Sequence, residues 1–467
     1  MRSRVTTDSV LIQHEQCALR LLEQGLLDDS QHAFLDLLHL RPHHARANLY
    51  LGTIAVLQAR WTEAVRFFQD SLEASPDCPD AWTLMGTALL QLGRVDDAMQ
   101  CHMTALRLSP VMPEPHRGLA DVYRAQGLLS AAVASYEKAI SLRKDYPQAC
   151  WNLSTTLLLM GDYARGWQFY HHRFSRPVGV VPIATPALQQ WRGERLEFDH
   201  RLLLVSEQGL GDTLQFARYV RWLRDSGLSV SLMPQASLVG VLRDSGIDVL
   251  DPIEAGISSF DSASVWAPLM SVPGLLGVSP QRPLATARYL RVDPGRCRYW
   301  RDVLAGFKGL TVALHWQGNP SVELANLKGR SLPLAAFSAL AALPGVRLLS
   351  LQKGIGSEQL ATCDFADRFA VCQPLVDQAW DFRETAAILA SCDLVITSDS
   401  ALAHLAGGLG CPTWLLLHWI PDWRWGLDGD HTFWYPTVRL FRQSEPDNWN
   451  EVIMRVVIAL QEFKASR

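Results

Sequence analysis

The sequence has no long apolar run and no large excess of charge of one sign. No uninterrupted apolar stretch approaches the roughly 20 residues that a membrane-spanning helix needs. The N-terminal segment MRSRVTTDSVLIQHEQ has no apolar core of the kind found in secretory signals. The net charge is −4 and the pI is about 6.4. We therefore expect neither stable membrane insertion nor a general affinity for nucleic acid.

The sequence also lacks paired cysteines. Its nine cysteines are scattered and odd in number, they form no C-x-x-C pair, and no His/Cys cluster has the spacing of metal ligands. This pattern predicts reduced thiols in a cytoplasmic protein with no metal site and no cofactor. A hydrophobic fraction of 48% is ample for real cores, and 467 residues predict two or three domains.

The first third of the chain repeats with a period of 34 residues. Glycine recurs on one frame, and proline, alanine and aromatic residues keep the same spacing. The series are Gly25, Gly93, Gly127 and Gly161, with Ala59 in the missing slot; Pro42, Pro76 and Pro110; Ala64, Ala98 and Ala132; and Phe34, Phe68, Tyr136 and Tyr170, broken by His102. Such a period indicates a repeat architecture.

The best single repeat is AWTLMGTALLQLGRVDDAMQCHMTALRLSP, residues 81–110. Gly86 and Ala98 allow paired helices to approach closely. Gly93 serves the turn between the helices, and Pro110 ends the second helix. The spacing resembles that of the tetratricopeptide repeat (TPR), and about five repeats cover residues 11–175, within a predicted array over residues 1–175. This resemblance implies a groove that holds an extended peptide or another protein, the alternative being a spacer or dimerisation surface.

The remainder of the chain alternates strands and helices. Residues 176–200 contain three prolines and little periodicity, which predicts a linker. RLLLVS (201–206) predicts a strand, TLQFARYVRWLRDSG (213–227) predicts an amphipathic helix, and a second series begins at LTVALHW (310–316). Two such series predict two Rossmann-like domains that face each other across a cleft, over residues 201–300 and 301–467, with a closing helix near 447–463.

The segment LVITSDSALAHLAGGLGCPTWLLL (394–417) predicts a strand, a tight turn, a helix and another strand. Its turn places free backbone N–H groups and the positive end of a helix dipole at the carboxyl edge of a sheet, where α/β proteins hold phosphates. His404 lies one turn into the helix, on the side of Ser400 and Ala401, and can add a donor to the same anion. The alternative is an ordinary packed histidine.

The first predicted strand leads into the glycine-containing loop SEQGLGDTLQFARYV (206–220). Gly209 and Gly211 allow a tight turn with exposed backbone. Asp212 sits where a helix N-cap is expected, and a cap needs no further function. The functional alternative is a carboxylate that faces the cleft and acts as a base. The loop has neither the G-K-[ST] of a P-loop nor the third glycine of a dinucleotide fingerprint.

Six motifs in order carry a resemblance to a known family: EQGLGD-TLQFARYV, HWQGNP, GRSLPL, LSLQKG, DLVITSDSALAHLAGGLG, and PDWRW followed by WYPTVRLFRQ. Together they resemble bacterial TPR proteins with a C-terminal glycosyltransferase domain of the GT-B fold, similar to the heptosyltransferase (family 9) group. The resemblance covers nearly all of residues 191–463. It implies a TPR α-solenoid followed by two Rossmann-like domains, the first on the acceptor side and the second on the donor side.

The resemblance also implies roles for individual residues. Asp212 matches the proposed general base, and Gln208, Gly209 and Gly211 form its loop on the acceptor side. The donor diphosphate and nucleoside are implied to contact a further set of residues. That set consists of Gln317, Gly318 and Asn319, with Lys328 or Arg330 as the cation; Gln352 and Lys353; and Asp399, Ser400, Ala401 and His404.

Some positions depart from the family pattern. The stretch ELANLKGRS lacks the acidic residue often found shortly before Arg-Ser, and GDHTFWYP (429–436) lacks an expected Arg-containing pattern. Asp428-Gly429-Asp430 spells the D-x-D motif of a different, metal-dependent glycosyltransferase class, but we expect it in a surface loop without metal. Trp423, Arg424 and Trp425 either wall the cleft, where they can stack on a base or sugar, or pack as a large turn.

The sequence therefore predicts a metal-independent glycosyltransferase. It would move a sugar with inversion from a nucleotide-sugar donor to a hydroxyl of a protein that the TPR array recruits. Two alternatives stay open. One is a heptosyltransferase-like enzyme with a glycan or lipopolysaccharide acceptor, and the other is a TPR scaffold with a degenerate, non-catalytic transferase domain.

Overall fold

The computed structural model describes residues 2–176, 179–197, 200–252, 263–284, 288–320, 323 and 329–466. The chain forms two compact units, residues 1–156 and residues 157–467. Lys328, one of the two cations predicted for the donor site, lies outside the described residues. Within the described part of the chain, no helix combines the length and the hydropathy that membrane crossing requires.

The first unit consists of antiparallel helix pairs. Its helices are Arg2–Glu23, Leu27–Leu40, Ala45–Leu57, Trp61–Ala74, Pro79–Gln91, Val95–Leu108, Pro113–Ala125 and Leu129–Leu142, and Pro147–Leu159 begins in it. Three of these helices begin with a proline, whose fixed φ suits the first helical turn. The predicted helical repeat is therefore confirmed in its architecture.

The 34-residue period reflects the backbone of the turns. Gly93 and Gly127 have φ of +78° and +76° after the first helix of their pairs, and Ala59 adopts φ of +56° in the equivalent slot. The N–H of Arg94 then donates to the carbonyl of Leu89 at 2.9 Å, which closes the helix end. Glycine recurs because this left-handed conformation costs other residues free energy.

The second unit begins with helical rather than α/β structure. Tyr163–Phe169 is an α-helix, and Tyr170–Phe174 continues it as a 3₁₀ helix. Trp167 packs edge-on against Trp423, with ring centroids 5.4 Å apart. Tyr163 and Tyr170 also lie against Trp423, at 6.5 and 5.9 Å. Residues assigned to the repeat array from their period thus lie within the aromatic core of the second unit.

The first sheet has four parallel strands. Their order is β1-β4-β2-β3, and the strands are β1 (Gln189–Gln190), β2 (Arg201–Val205), β3 (Ser229–Met233) and β4 (Val265–Pro268). Strand β1 comes from the segment predicted to be a linker and pairs Gln189 with Val265. The α-helices around the sheet are Leu210–Phe216, Arg218–Asp225, Val239–Asp244, Val272–Leu275 and Pro294–Val303.

The helix predicted over 213–227 is interrupted at Ala217. The carbonyl of Leu214 accepts a hydrogen bond from the Tyr289 hydroxyl at 2.7 Å, and the carbonyl of Gln215 accepts one from Arg218 Nε at 2.8 Å. Side chains thus bind carbonyls that a continuous helix would use. The sequence pattern did not reveal the break because Tyr289 is remote along the chain.

The second sheet has five parallel strands in the order β6-β5-β7-β8-β9. The strands are β5 (Leu310–His315), β6 (Val346–Ser350), β7 (Leu394–Ser398), β8 (Thr413–Leu417) and β9 (Val438–Arg442). The α-helices are Ser338–Ala341, Gln373–Gln378, Phe382–Leu389, Ala401–Leu409 and the C-terminal Trp449–Ala465. β7 and β8 are buried along their whole length, as expected for apolar runs in a parallel sheet.

Candidate functional site

Two helix N-termini meet at the carboxyl edges of the two sheets. The 210–216 helix follows β2, and the 401–409 helix follows β7. A methyl group added at Gly211 would lie 3.2 Å from Cα of Ala401 and 2.9 Å from Cδ2 of His404. The first turns of the two helices are therefore in direct contact, and only glycine fits at position 211 without a shift. The two halves of the second unit meet at the residues that the sequence singled out.

The loop after β2 is held by its own hydrogen bonds. Gln208 adopts φ of +66°, and its carbonyl accepts a hydrogen bond from Gln235 Nε2 at 3.1 Å. Gly209 is the N-cap, and its N–H donates to Asp212 Oδ2 at 2.8 Å. Asp212 is thus the third residue of the helix, and the prediction that it occupies the N-cap position is wrong. Its carboxylate nevertheless stabilises the helix start.

The other oxygen of the Asp212 carboxylate contacts the opposite half of the unit. Arg424 Nη2 donates to Asp212 Oδ1 at 2.5 Å, and the Asp212 side chain is 18% exposed. Burial raises the pKa of Asp212, while the positive charge of Arg424 and then the Gly209 hydrogen bond oppose the rise. The carboxylate is oriented at both oxygens and lies at the junction of the two helices.

Arg330 is a buried cation that forms no ion pair with the described residues, although its positive charge opposes the burial that raises the pKa values of Asp399 and Asp212. The residue is 9% exposed, its Nη1 donates to the carbonyl of Asp399 at 3.3 Å, and its Nε has no hydrogen-bond partner. A methyl group at Gly318 would lie 2.6 Å from Arg330 Nη2, so the guanidinium packs against the loop after β5. Among the described residues, no carboxylate lies within the 4.0 Å that defines an ion pair with Arg330.

Ser400 and His315 lie beside the N-terminus of the 401–409 helix. Ser400 is the N-cap, but its side chain makes no capping hydrogen bond. Instead, Ser400 Oγ lies 3.3 Å from His315 Nδ1, and Thr397 Oγ1 lies 3.5 Å from the same nitrogen. Burial, and next the charge of Arg330, lower the pKa of His315 to about 4. His315 is not among the residues predicted for the site, although its place at the end of β5 could have indicated it.

Asp399 is buried next to this group. It is 6% exposed, and burial, followed by the negative charge of Asp422, raises its pKa. A carboxyl group so placed gains a proton more readily than one in water, which reduces its repulsion of a bound anion. The carboxyl edge of the second sheet therefore combines Arg330, His315, Ser400 and a helix N-terminus, which together suit a phosphate.

Gln352 and Lys353 are occupied by contacts within the protein. Gln352 Oε1 accepts hydrogen bonds from the N–H groups of Trp316 and Gln317, and its Nε2 donates to the carbonyls of Gln317 and Ile355. Lys353 Nζ donates to the carbonyl of Val376. In this arrangement neither side chain has its polar group directed to a ligand. Their predicted contacts with the nucleoside stay a prediction.

The loop after β5 is tied to the segment around Ser331. The N–H of Gly318 donates to Ser331 Oγ at 3.1 Å, and Ser331 Oγ donates to Glu323 Oε2 at 2.5 Å. The carbonyl of Asn319 accepts from the N–H of Glu323 at 3.1 Å. This loop therefore brings Gly318 against Arg330, whereas Gln317 and Asn319 contact the surrounding loops.

His404 is packed between aromatic side chains. It is 5% exposed, its Nδ1 lies 2.9 Å from the Tyr435 hydroxyl, and its ring stacks on Trp425 with centroids 5.4 Å apart. Burial, and then the charges of Arg424 and Arg218, lower the pKa of His404. This is the packed histidine that the sequence left open, and a donor role toward an anion is a separate prediction. Trp423 and Trp425 are likewise 3% exposed and packed.

The D-x-D sequence at residues 428–430 is tied into a surface turn. Asp430 pairs with Arg439 at 3.1 Å, and Arg442 Nε donates to the carbonyl of Gly429 at 3.1 Å. In the described residues no group of three His, Cys, Asp or Glu side chains is arranged to hold a metal ion.

Comparisons with known families match the repeat array. Tetratricopeptide-repeat models match residues 18–79 and 55–111, and a TPR model matches residues 120–161. These matches agree with the 34-residue period and with the helix pairs of the first unit. The N-terminal region thus contains TPR repeats, a fold that binds peptides or proteins.

Among curated proteins, the chain is similar to Protein FlbA of Caulobacter vibrioides, with 27% identity over 431 residues, which cover 87% of this chain and 71% of that protein. It is also similar to Protein O-mannosyl-transferase TMTC1 of Mus musculus, with 26% identity over 147 residues, or 31% of this chain and 15% of that protein.

Among solved structures, the chain is similar to MamA, with 18% identity and a TM-score of 0.30, over 33% of this chain and 91% of that chain. It is also similar to PilF of Pseudomonas aeruginosa, with 16% identity and a TM-score of 0.35, over 47% and 87%. The family matches and the strand order together show a protein with an N-terminal TPR array and a C-terminal region built on two parallel sheets.

Proposed function

We propose that this protein is an inverting, metal-independent glycosyltransferase of the GT-B type, which uses a nucleotide-sugar donor. One observation carries the proposal: Arg330 is a buried cation that forms no ion pair with the described residues, and it donates to the carbonyl that precedes the 401–409 helix. A buried charge without an ion pair is costly, so the arrangement favours a ligand that brings negative charge. A diphosphate supplies that charge.

The donor diphosphate binds between Arg330 and the start of the 401–409 helix. Ser400 and His315 supply further donors at the same edge. A helix dipole contributes about 0.3–1 kcal/mol toward an anion at the surface and up to about 2 kcal/mol in a partly buried site. These contacts strengthen as charge develops on the departing diphosphate, so they stabilise the transition state as well as the bound donor.

Asp212 is the general base. It removes the proton from an acceptor hydroxyl while the hydroxyl oxygen attacks the anomeric carbon. The bond between that carbon and the phosphate oxygen breaks, the electron pair leaves with the nucleoside diphosphate, and the configuration at the anomeric carbon inverts. Support comes from the position of Asp212 at the junction with the 401–409 helix, where Gly211 contacts Ala401.

The acceptor is a protein hydroxyl that the TPR array brings to the second unit. The fold of the first unit supports a peptide or protein partner, and one relative, Protein O-mannosyl-transferase TMTC1, is named for O-mannosyl transfer to protein. That relative matches over 15% of its own length, so it gives weak support. A glycan acceptor of the heptosyltransferase type is the competing choice within the same chemistry.

The first experiment is a thermal-shift panel on the purified full chain with nucleoside diphosphates and nucleotide sugars of each base. A ligand that binds only the folded state raises the melting temperature, by an amount that grows with its concentration relative to Kd. We expect a shift for one base class, larger with the correct sugar. A panel in which no member shifts the melting temperature contradicts the proposal.

A deletion tests the role of the array. Removing residues 1–156 is the informative cut, because residues 163–174 pack in the aromatic core of the second unit. We expect the truncated protein to retain the donor-induced shift and to lose transfer of labelled sugar to protein in a lysate of cells that lack this chain. Unchanged transfer to protein contradicts recruitment by the array.

A second candidate is a TPR scaffold whose second unit no longer catalyses transfer. One observation favours it: the family matches lie within residues 18–161. An intact fold with no affinity for any nucleotide sugar, but with saturable peptide binding by the first unit, would select this candidate.

A further inference from the structure

The Arg424 side chain joins the two halves of the second unit. It is 7% exposed and lies in the 3₁₀ turn Trp423–Trp425, beyond β8. Its Nη2 donates to Asp212 Oδ1 and its Nε donates to Gln215 Oε1, both at 2.5 Å. Asp212 and Gln215 are three residues apart on the 210–216 helix of the other half. One guanidinium therefore holds two positions of the helix that carries Asp212.

The guanidinium is itself fixed. Its Nη1 donates to Asp422 Oδ1 at 2.8 Å, and the same oxygen accepts the N–H of Arg424 at 3.1 Å. Its central carbon lies 4.5 Å from the Trp423 ring centroid and 5.5 Å from that of Phe216. With Nε, Nη1 and Nη2 all engaged and rings beside it, the side chain has little freedom to move away from Asp212.

Asp212 needs such a partner for base chemistry. Burial raises the pKa of Asp212 and favours the neutral acid, which cannot accept a proton from a hydroxyl. Arg424, the Gly209 N–H and Arg330 oppose this rise, whereas the negative charge of Asp422 adds to it. Gly209 N–H binds one carboxylate oxygen and Arg424 binds the other. The carboxylate is thus fixed in direction, and Oδ1 retains a second lone pair for the acceptor hydroxyl.

We propose that Arg424 is a positioning residue, which acts from the second half of the unit to orient the Asp212 carboxylate and hold it ionised. The inference rests on the proposed function. Because Asp212 and Arg424 belong to different halves of the second unit, Asp212 has its orienting partner only while the two halves are together. Donor binding to the second half and base activation in the first half are coupled through this contact.

A melting-temperature cycle tests the pair without any assay of transfer. Arg424→Gln leaves a buried carboxylate without its cation, so it should lower the melting temperature, more at pH 8 than at pH 6. Adding Asp212→Asn should recover part of the loss, since the amide keeps an oxygen for the Gly209 N–H and carries no charge. If the decreases in melting temperature of the two single variants simply add in the double variant, the coupling between Asp212 and Arg424 is overturned.

The pH profile of transfer separates positioning from general destabilisation. Arg424→Gln should displace the acidic limb of the pH profile to higher pH. The rate of transfer should fall about a hundredfold at the acidic end of the profile, and the decrease should become smaller as pH rises. Arg424→Lys should keep the limb near its wild-type position but lower the rate, because an ammonium lacks the planar fork. Arg439→Gln, which removes an exposed pair with Asp430, is the control and should match wild type.

The outcomes for the two proposals differ. If no nucleotide sugar stabilises the wild-type chain, the proposed function fails, and the role of Arg424 in transfer fails with it. If a donor is bound and transferred but Arg424→Gln lowers the rate by one factor at every pH, the proposed function stands and the positioning role of Arg424 is overturned.

Discussion

The two units differ in how they satisfy their buried polar groups. In the first unit, Asp121 accepts hydrogen bonds from Arg117 and Tyr136, each at 2.5 Å, and from Asn152 at 2.8 Å. Arg117 lies on the same helix as Asp121, Tyr136 lies on the second helix of the same repeat, and Asn152 lies on the first helix of the next repeat, so the network links three helices. In the second unit, Arg330 keeps an unpartnered Nε at the edge of a sheet. The Asp121 carboxylate is thus satisfied within the repeats, whereas the Arg330 guanidinium is not fully satisfied by the described residues.

Each unit also contains buried polar atoms without a hydrogen-bond partner among the described residues, and these atoms lie in different surroundings in the two units. In the first unit, His102 is fully buried with both ring nitrogens unpartnered, between Gly86 and Gly118. In the second unit, Ser398 Oγ and Gln443 Nε2 are unpartnered as well as Arg330 Nε, and they lie at the carboxyl ends of β7 and β9. An unpartnered group packed between the glycines of neighbouring helices is a packing compromise, whereas unpartnered groups at the carboxyl edge of a parallel sheet lie where α/β proteins bind ligands.

The strongest test of the second unit as an enzyme is Asp212→Asn. We expect transfer to fall by about 10²–10⁴-fold, which is what general-base help contributes. The amide still accepts the Gly209 N–H, so the melting temperature and the donor-induced shift should change little. Initial rates with the donor found in the thermal-shift panel measure the effect, and transfer at the wild-type rate would remove Asp212 from the role.

Breaking the ion pair between Arg173 and Glu207 tests whether residues 170–174 belong to the second unit. Both residues are 1% exposed, and Arg173 donates to Glu207 Oε1 from Nη2 at 2.5 Å and from Nε at 3.0 Å. Arg173→Met leaves a buried charge unpaired, so the free energy of unfolding should fall by about 3–5 kcal/mol. Denaturant unfolding followed by tryptophan fluorescence measures it.

The decrease in the free energy of unfolding caused by Arg173→Met should become larger as pH rises. Burial already raises the pKa of Glu207, and removal of Arg173 raises it further. The loss relative to wild type is then smallest at low pH, where Glu207 is protonated in both states, and it grows as pH rises above the unfolded-state pKa of Glu207. A loss that is small at every pH would place residues 170–174 outside the core.

Arg330→Gln tests whether the unpartnered atoms of the second unit belong to a ligand site. Hydrogen bonds to charged groups contribute about 1.5–3 kcal/mol, so affinity for the nucleotide sugar should fall by about 10- to 100-fold in calorimetric titration. Arg347→Gln is the matched control, because Arg347 also has an unpartnered Nε but starts near the amino end of β6. Equal losses of affinity in both variants would contradict the site.

His102→Phe tests the packing compromise in the first unit. The equivalent residue of the preceding repeat is Phe68, which packs against Gly52 as His102 packs against Gly86. Removing two unpartnered nitrogens should stabilise the unit by about 1 kcal/mol. Thermal unfolding followed by circular dichroism at pH 7 measures the gain, and a lower melting temperature would show that the smaller imidazole is needed.

The same variant should change the pH dependence of stability. Burial, and then the charge of Arg117, lower the pKa of His102 from 6.5 in the unfolded chain to about 3. The unfolded state therefore binds a proton first, and the stability present above pH 6.5 is lost as pH falls toward 3. His102→Phe should flatten the profile in this range, and wild type and variant curves that stay parallel would contradict this account.

Most helices and strands could be predicted from the sequence because each depends on a pattern among residues that are close together along the chain. The 34-residue series predicted the helix pairs, since each turn needs a left-handed residue at the same place, as Gly93 and Ala59 show. The apolar runs of β7 and β8 predicted buried parallel strands, and Ser400 was found because it follows a strand, whereas Arg330 was implied by the family resemblance. The sequence did not show that residues 163–174 would pack with Trp423, because that contact depends on surfaces far apart along the chain.

By itself the sequence determined the repeat array, the parallel sheets and the positions of Asp212 and Ser400 at strand-to-helix turns, because periodicity and strand ends are properties of neighbouring residues. Only the tertiary structure paired Asp212 with Arg424, 212 residues away. It also made His404 a packed residue and brought His315 to Ser400. Those outcomes depend on which surfaces are buried together, since burial decides which charges need partners and which remain for a ligand.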